Sequence, residues 1–215
     1  MSGIYVPFWT YDAATKTRYT GQRGDVYYVK RKVQVMVDGK MRMQVHQEPR
    51  VRWTAVRGRV ARFFDDVLIL GSNSLPKSYT DALAPWDLSE LEPYRAEFLA
   101  GFRAEAYTVS IEEGHKEAQA YMARMIERDV KFDIGGDQQR ITALDTDISE
   151  ETFKHILLPI WLAAYKYRGK TYRFVVNGRN GRVQGERPYS WVKIALAILC
   201  VALLAGALGF AAAQS

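Results

Sequence analysis

The feature of this sequence that most constrains its fold is an uncharged run near the C-terminal end. Residues 194–213 read IALAILCVALLAGALGFAAA and contain no charged and no strongly polar side chain. At about 1.5 Å per helical residue, the run would extend about 30 Å, the thickness of the hydrocarbon layer of a bilayer. In lipid such a segment has to be helical, because its backbone groups find no other hydrogen-bond partners there. The run predicts a transmembrane helix over residues 191–213, and a buried helix of a globular core is the alternative.

The residues that flank the run predict how such a helix would be oriented. Trp191 stands where an aromatic side chain meets the membrane surface, and Lys193 can extend toward lipid head groups. Only Gln214 and Ser215 follow the run, whereas many cationic residues precede it. The positive-inside rule then predicts a single-pass protein with a cytoplasmic N-terminal domain. We expect six of the preceding cations to face anionic lipid: Arg168, Lys170, Arg173, Arg179, Arg182 and Arg187.

Small residues within the run recur at a spacing of four. Ala202 precedes Gly206, and Ala205 precedes Gly209, in the same way. Small residues at this spacing let two membrane helices approach closely. The pattern predicts a homo-oligomer.

Charge is divided unevenly along the chain. Residues 1–62 contain 13 Lys and Arg against 4 Asp and Glu, residues 63–153 contain 8 against 19, and residues 154–193 contain 9 against 1. Basic surfaces attract lipid head groups and nucleic acids alike. Alternatively, the oppositely charged segments face each other within the fold.

The part of the chain before the uncharged run predicts an α+β domain rich in antiparallel sheet, over residues 1–190. Alternating apolar and polar residues predict strands, and an apolar stripe at helical spacing predicts one long amphipathic helix from near Glu112 to the residue before Gly135. The sequence VDGK at 37–40 is typical of a hairpin turn. The predicted strands are 25–37, 40–47, 59–70, 104–112 and 138–148.

Two segments, near 5–25 and 156–185, resemble each other. Each contains a proline two residues before a tryptophan, followed by basic and aromatic residues and by two glycines three apart. The similarity predicts two related β-hairpin units. The matched positions are Pro7 and Pro159, Trp9 and Trp161, and Gly21 and Gly24 with Gly178 and Gly181.

The segment AYKYRGKT at 164–171 satisfies a loose phosphate-loop pattern. Its central residues are bulky, however, and the residues that follow, YRFVVNG, form no helix pattern, whereas a phosphate loop needs a helix N-terminus there. We therefore predict a basic turn between two strands. Cys200 is the single cysteine, and the three histidines are widely separated, so no metal-ligand spacing is present. We expect no enzyme activity, no cofactor and no metal.

A set of basic residues with interleaved aromatic residues offers an alternative function. Such a pattern is typical of proteins that bind the phosphates and bases of nucleic acids. The cations are Lys30, Arg31, Lys32, Arg50, Arg52, Arg57, Arg59 and Arg62, and the aromatic residues are Tyr27, Tyr28 and Trp53.

Several stretches together resemble a bacterial family of zinc-ribbon membrane proteins, often labelled primosomal-protein-like or replication-helicase-like. They include VPFWTYDA, RWTAVRGRVARFFDDVLIL, DIGGDQQRI and, most specifically, LLPIW with the later block YRFVVNGRNGRVQGERP. The paired CxxC motifs of the family are absent from this sequence. The resemblance implies genomic association with stomatin/flotillin-like and phage-shock-type membrane-stress proteins.

From these features we expect a non-catalytic adaptor or scaffold, tail-anchored at the cytoplasmic face of a bacterial inner membrane. Membrane lipid and other proteins would be its partners. The alternatives are a nucleic-acid-binding protein accessory to replication and an accessory subunit of a larger membrane complex.

Overall fold

The computed structural model describes residues 1–37, 40–188, 193, 195–202 and 205. Most of the described chain is antiparallel β-strand, with one long helix. The elements are β1 (Ser2–Val37), β2 (Lys40–Leu70), α1 (Lys77–Asp81), a 3-10 turn (Ala96–Leu99), β3 (Arg103–Ala104), α2 (Ile111–Ile134), β4 (Gln138–Tyr167), β5 (Lys170–Asn177) and β6 (Val183–Gly185).

The chain forms two compact units. The larger unit contains Val6–Ser74 and Ala104–Leu158, and the smaller contains Met1–Tyr5, Leu75–Arg103 and the residues from Pro159 onward. In the larger unit the strand order is β2-β1-β4, and in the smaller unit β4, β5 and β6 are neighbours in that order.

Strands β1 and β2 form one antiparallel hairpin of unusual length. Their pairing runs from Phe8 opposite Leu70 to Val37 opposite Lys40, and its register shifts only between Tyr11 and Ala13. The predicted strands 25–37, 40–47 and 59–70 are therefore confirmed as parts of two much longer strands. The pair Val37 and Lys40 confirms the predicted hairpin, although the turn residues 38 and 39 lie outside the described part of the chain.

Helix α2 covers one face of the larger unit's sheet and closes its core. The stripe Ala118, Met122, Ile126 and Val130 is at most 4% exposed. This stripe contacts aromatic residues of β1 and β2, and burial of such surface stabilises a fold by about 25 cal/mol per Å². The core cluster contains Trp9, Tyr11, Ala13, Tyr19, Phe64, Val67, Ile69, Ala118, Met122, Ile126, Val130 and Ile134.

The ends of α2 are set by local sequence. The Ser110 hydroxyl accepts a hydrogen bond from the Glu113 amide, and the Glu113 carboxylate accepts one from the Ser110 amide. This reciprocal capping box starts the helix. Gly135, with φ of 64°, ends it. The predicted helix is confirmed, but the strand predicted at 104–112 is wrong beyond Ala104, because Ser110 caps a helix that begins at Ile111.

The smaller unit contains the segment that resembles a phosphate loop. Strand β4 pairs with β5 through Tyr167 opposite Lys170, and the two residues between them, Arg168 and Gly169, have φ of 50° and 79°. Two left-handed residues at this point form a hairpin turn whose twist matches the flanking strands. The prediction of a basic turn in place of a phosphate loop is confirmed.

The two segments of similar sequence lie in different settings. Gly21 and Gly24 lie inside the continuous strand β1, whereas Gly178 and Gly181 follow the end of β5. In the second segment Asn177 is 1% exposed and its side-chain amide donates to the Leu83 carbonyl at 3.1 Å.

The predicted transmembrane helix requires a correction. No helix in the described part of the chain is long and apolar enough to cross a membrane. The fold with a membrane anchor, and the single-pass location in the inner membrane, are therefore wrong. Lys193, Ala202 and Ala205 are helical and exposed, whereas Trp191, Gly206 and Gly209 lie outside the described residues.

Candidate nucleic-acid interface

Beyond the start of β4, strands β1 and β2 continue as a two-stranded ribbon. The amide of Asp137, the residue before β4, donates to the Gly24 carbonyl, and the Asp137 carboxylate accepts from the Val26 amide. We define the ribbon as residues 26–37 and 40–51, which pair from Val26 opposite Val51 to the hairpin end. At about 3.3 Å per residue each of its strands extends about 40 Å.

The two faces of the hairpin differ because side chains alternate along each strand. Tyr19 donates to Asp133 of α2 at 2.5 Å, and Arg62 donates to Asp129 of the same helix. Odd-numbered residues of β1 and even-numbered residues of β2 beyond Ala13 therefore point to the side of α2, which we call the helix face. The opposite side, the open face, contains even-numbered residues of β1 and odd-numbered residues of β2.

On the helix face, the arginines whose side chains the structure describes have partners within the protein. Arg62 forms an ion pair with Asp129, and this hydrogen bond raises the pKa of the Arg62 guanidinium and lowers that of the Asp129 carboxyl. Arg31 and Arg50 both lie near the Glu48 carboxylate, at 3.9 and 3.7 Å.

Two further arginines of the helix face also have partners. The Arg52 guanidinium lies 5.3 Å from the centre of the Tyr27 ring, and Arg23 pairs with Asp25 at 2.9 Å. The sequence grouped eight cations together, and four of them therefore have partners inside the protein: Arg31, Arg50, Arg52 and Arg62.

The cations of the open face are arranged differently. Arg18 lies directly opposite Arg59, and Arg57 is the next open-face residue along β2. Within the described residues only Arg18 of the open-face cations on β1 and β2 has a carboxylate partner, Asp145, and both side chains of that pair are about 70% exposed. The open-face cations without a carboxylate in reach are Lys16, Lys30, Lys32, Arg57 and Arg59.

Aromatic side chains lie between these cations on the same face. Phe63 and Tyr28 are 61% and 63% exposed, and Trp53 is half-buried. Along the hairpin, Phe63 is followed by the arginines Arg59 and Arg57 and then by Trp53. Tyr28 comes next and is followed by the lysines of the ribbon. An exposed strip that alternates positive charge with ring faces is suited to an extended polyanion with flat groups.

The Trp53 ring lies across its neighbouring strand because Gly24 has no side chain. A Cβ atom at Gly24 would lie 2.9 Å from Cζ3 of Trp53, closer than packed carbon atoms approach each other. On the far side of β1, the Arg140 guanidinium of β4 lies 3.9 Å from the centre of the Trp53 ring. Three strands therefore build one stack of an indole and a guanidinium.

The residues predicted to face lipid lie in the smaller unit and have varied surroundings. Arg168 lies 5.4 Å from the Tyr167 ring centre, and Lys170 lies 5.6 Å from that of Tyr172. Arg179 pairs with Asp87 and Glu90. In addition, Arg182 donates to the Ala84 carbonyl, and the backbone amide of Arg173 donates to the Glu186 carboxylate. Arg187 lines a shallow cavity beside Tyr165 and Phe174.

An acidic cluster in the larger unit has a cation of its own. Asp12, Asp65 and Asp66 place carboxylate oxygens within 4.8 Å of one another. The Lys154 ammonium lies 3.3 Å from both Asp12 and Asp66. Burial favours a higher pKa for Asp12, but hydrogen bonds from the Asp66 amide, Thr152 and Lys154 outweigh it and lower the pKa. The lysine supplies the positive charge that these carboxylates need.

Sequence reasoning found most of the basic residues but did not separate them by face. Lys16 and Arg140 were missed, because neither belongs to a basic run and Arg140 comes from a strand over a hundred residues away from β1. The hairpin turn at 37–40 could have separated the residues by face. Once the turn is placed, the register of β1 with β2 follows, and the register decides on which face of the ribbon each side chain lies.

Comparison with known proteins gives one distant relative. Over 204 residues the chain is 24% identical to a Bacillus subtilis (strain 168) protein described as uncharacterized protein YdjG. The match covers 91% of this chain and 54% of that protein, so the chain spans about half the length of the relative. No family model matches the sequence, and no solved structure matches it. The resemblance to zinc-ribbon membrane proteins stays a prediction.

Proposed function

We propose that this protein is a non-catalytic nucleic-acid-binding protein that holds the phosphate backbone on the open face of β1 and β2. One observation carries the proposal. Among the residues whose side chains the structure describes, the helix-face arginines of the hairpin have partners within the protein, whereas five open-face cations have no carboxylate in reach. Unpaired cations release counterions from nucleic acid without first breaking an ion pair in the protein.

The shape of the ribbon supports the same function. A two-stranded antiparallel ribbon is narrow enough to enter the major groove of a duplex, and its open face is long enough to follow a single strand. The exposed rings of Tyr28 and Phe63 offer stacking surfaces that a purely electrostatic interface does not need.

The experiment compares two charge-matched double variants across a series of salt concentrations. Lys30→Gln with Lys32→Gln removes two open-face cations, and Arg31→Gln with Arg50→Gln removes two helix-face cations from the same ribbon. Affinity for a fluorescent thymidine oligomer of about 16 nucleotides is measured by anisotropy. The open-face variant should bind more weakly, and its slope of log affinity against log salt should be shallower by about 1.4, or about 0.7 for each lost contact.

The helix-face variant provides the control, because it changes net charge equally. Its slope should equal that of the parent protein. Equal effects of the two variants would mean that binding depends on net charge alone. That result would contradict the proposal that nucleic acid binds to the open face. Binding to phosphatidylglycerol vesicles, with no binding at low salt to the oligomer or to a duplex, would exclude the nucleic-acid function.

The adaptor and complex-subunit hypotheses are separate predictions with a different signature. Two exposed apolar side chains toward the hairpin end favour them: Met43 and Val45 are 61% and 55% exposed. A partner held by these side chains would co-purify in fixed stoichiometry and would resist high salt, because apolar contacts are not screened. Met43→Ser with Val45→Ser should then release the partner while oligomer binding persists.

A further inference from the structure

The Arg140 guanidinium is not needed to hold the Trp53 ring in place. A glycine opposite Trp53 already gives the indole a flat surface on which to lie. Arg140 is exposed, and within the described residues its guanidinium forms no ion pair with a carboxylate and donates no hydrogen bond. Its five N–H donors therefore remain available while its Cζ atom lies 3.9 Å from the centre of the ring.

A guanidinium is a flat cation, and the Arg140 side chain is exposed. Nucleobases stack on arginine planes and on aromatic rings, and the remaining N–H donors can bind phosphate oxygens. Trp53 and Gly24 face each other in the register, so the stack lies between the open-face arginines Arg57 and Arg59 and the open-face lysines of the ribbon. A base at the stack would have cations on both sides of it for the flanking phosphates.

We propose that Trp53 and Arg140 form a nucleobase platform that makes the open face selective for single-stranded over duplex nucleic acid. This inference rests on the proposed function. An unpaired base can leave its neighbours and stack on the platform, whereas the bases of a duplex are stacked on each other and present only their edges in the grooves. The phosphate contacts are shared by both ligands, so the platform alone separates them.

The matched control for this platform is a second arginine that lies on an aromatic ring. Arg124 of α2 lies 6.0 Å from the centre of the Tyr121 ring, away from the sheet's open face. Arg124→Ala removes the same charge and the same type of contact. Arg140→Lys provides a second comparison, because lysine keeps the positive charge but has no plane on which a base can stack.

The experiment measures the affinity of the full chain for a thymidine oligomer and for a hairpin duplex of equal phosphate count, at one salt concentration. Arg140→Ala should weaken oligomer binding about 5- to 10-fold more than duplex binding, the lower part of the range for one lost stacking contact. Arg140→Lys should show most of the same loss for the oligomer and little loss for the duplex. Arg124→Ala should leave the ratio of the two affinities unchanged.

A spectroscopic readout checks the same contact. Binding of the oligomer should change tryptophan fluorescence, and Trp53→Phe should remove most of the change, because a base at Arg140 alters the surroundings of the indole that this guanidinium contacts. Circular dichroism and thermal unfolding establish that each variant is folded.

Each alternative result has its own meaning. If the parent protein binds neither ligand, the proposed function and the platform both fail. If the protein binds nucleic acid but Arg140→Lys behaves as the parent, or Arg140→Ala leaves the ratio of oligomer to duplex affinity unchanged, the platform alone is overturned and Arg140 acts as a point charge.

Discussion

Tyr19 illustrates how single residues tie the long hairpin to α2. Its ring is 6% exposed, and its hydroxyl donates to the Asp133 carboxylate at 2.5 Å. Gly58 on β2 leaves room for this hydroxyl, because a Cβ atom there would lie 2.5 Å from it. Burial, followed by the hydrogen bond to Asp133, raises the pKa of Tyr19 to about 12. A buried polar group is thus fixed in its neutral form by its surroundings.

The raised pKa predicts a loss of stability in alkali. Unfolded tyrosine has a pKa of about 10, so the folded protein holds this proton more tightly than the unfolded chain does. The stabilisation is fully present below pH 10 and is lost as the pH rises toward 12. In urea unfolding across this range, Tyr19→Phe should lessen the decline by about 1–2 kcal/mol.

The control for this titration is a tyrosine on the surface. Tyr94 is 66% exposed, so Tyr94→Phe should leave the decline as it is in the parent. An unchanged decline in Tyr19→Phe would show that Tyr19 ionises equally in the folded and unfolded states.

At the scale of elements, α2 depends on a cap that the sequence displayed. Ser110 and Glu113 have the spacing of a capping box directly before the helix. Ser110→Ala should lower the free energy of unfolding by about 1 kcal/mol, because the Glu113 amide loses its acceptor. Denaturant titration followed by circular dichroism would measure the change.

Glu113→Gln provides the comparison for the cap. The glutamine side chain still accepts from the Ser110 amide, so this variant should lose less stability than Ser110→Ala. Equal losses would indicate that the charge of Glu113 near the helix N-terminus matters more than the hydrogen bonds.

The sequence predicted the type of most elements but not their extent. Alternation identified parts of β1, β2 and β4, and the apolar stripe identified α2, because both patterns arise from burial on one side. The connections between the parts could not be foreseen, since residues such as Gly21 and Gly24 are typical of turns yet lie within β1. The glycine at 24 is required there by the Trp53 ring, which is a tertiary contact.

The error in the predicted anchor and the limits of the predicted site have a common origin. Hydropathy alone assigned residues 191–213 to a membrane helix, and composition alone grouped the basic residues into one surface. Neither hydropathy nor composition states which residues are neighbours in the fold, and it is these neighbours that decide which cations have partners. For Arg31 and Arg50 the deciding information is the position of Glu48, which the pairing of β1 with β2 places beside them.

At the scale of the whole molecule, different segments of the same hairpin form the core and the proposed binding ribbon. The core of the larger unit uses β1 as far as Tyr19 and β2 from Phe64 onward, with partly buried Val56 and Val60 beside it. The ribbon contributes no residue to this core cluster. Binding and folding should therefore be separable by changing the ribbon alone.

Shortening the ribbon tests this separation. A variant in which Tyr27 is joined to Arg50 through Asn-Gly keeps the register and forms a two-residue turn. Its free energy of unfolding should change by less than about 1 kcal/mol, because none of the described residues that are removed belongs to the core cluster. Affinity for the thymidine oligomer should fall and its salt slope should become shallower, because Lys30, Lys32 and Tyr28 are lost.

Both readouts can contradict the separation independently. A large loss of stability would mean that the ribbon supports the core through contacts along the strands. Unchanged oligomer affinity would move the interface off the ribbon, to another part of the chain.

The order in which the pairing partners occur along the chain has a consequence during synthesis. The hairpin of β1 and β2 is complete at Leu70, but α2, which covers its apolar side, ends only at Ile134. At about 5–20 residues per second, a ribosome needs roughly 3–12 s to translate the intervening sixty or so residues. For that time the rings of Trp9, Tyr11 and Phe64 have no helix above them, so the nascent hairpin is a natural client for chaperones that hold exposed apolar surface.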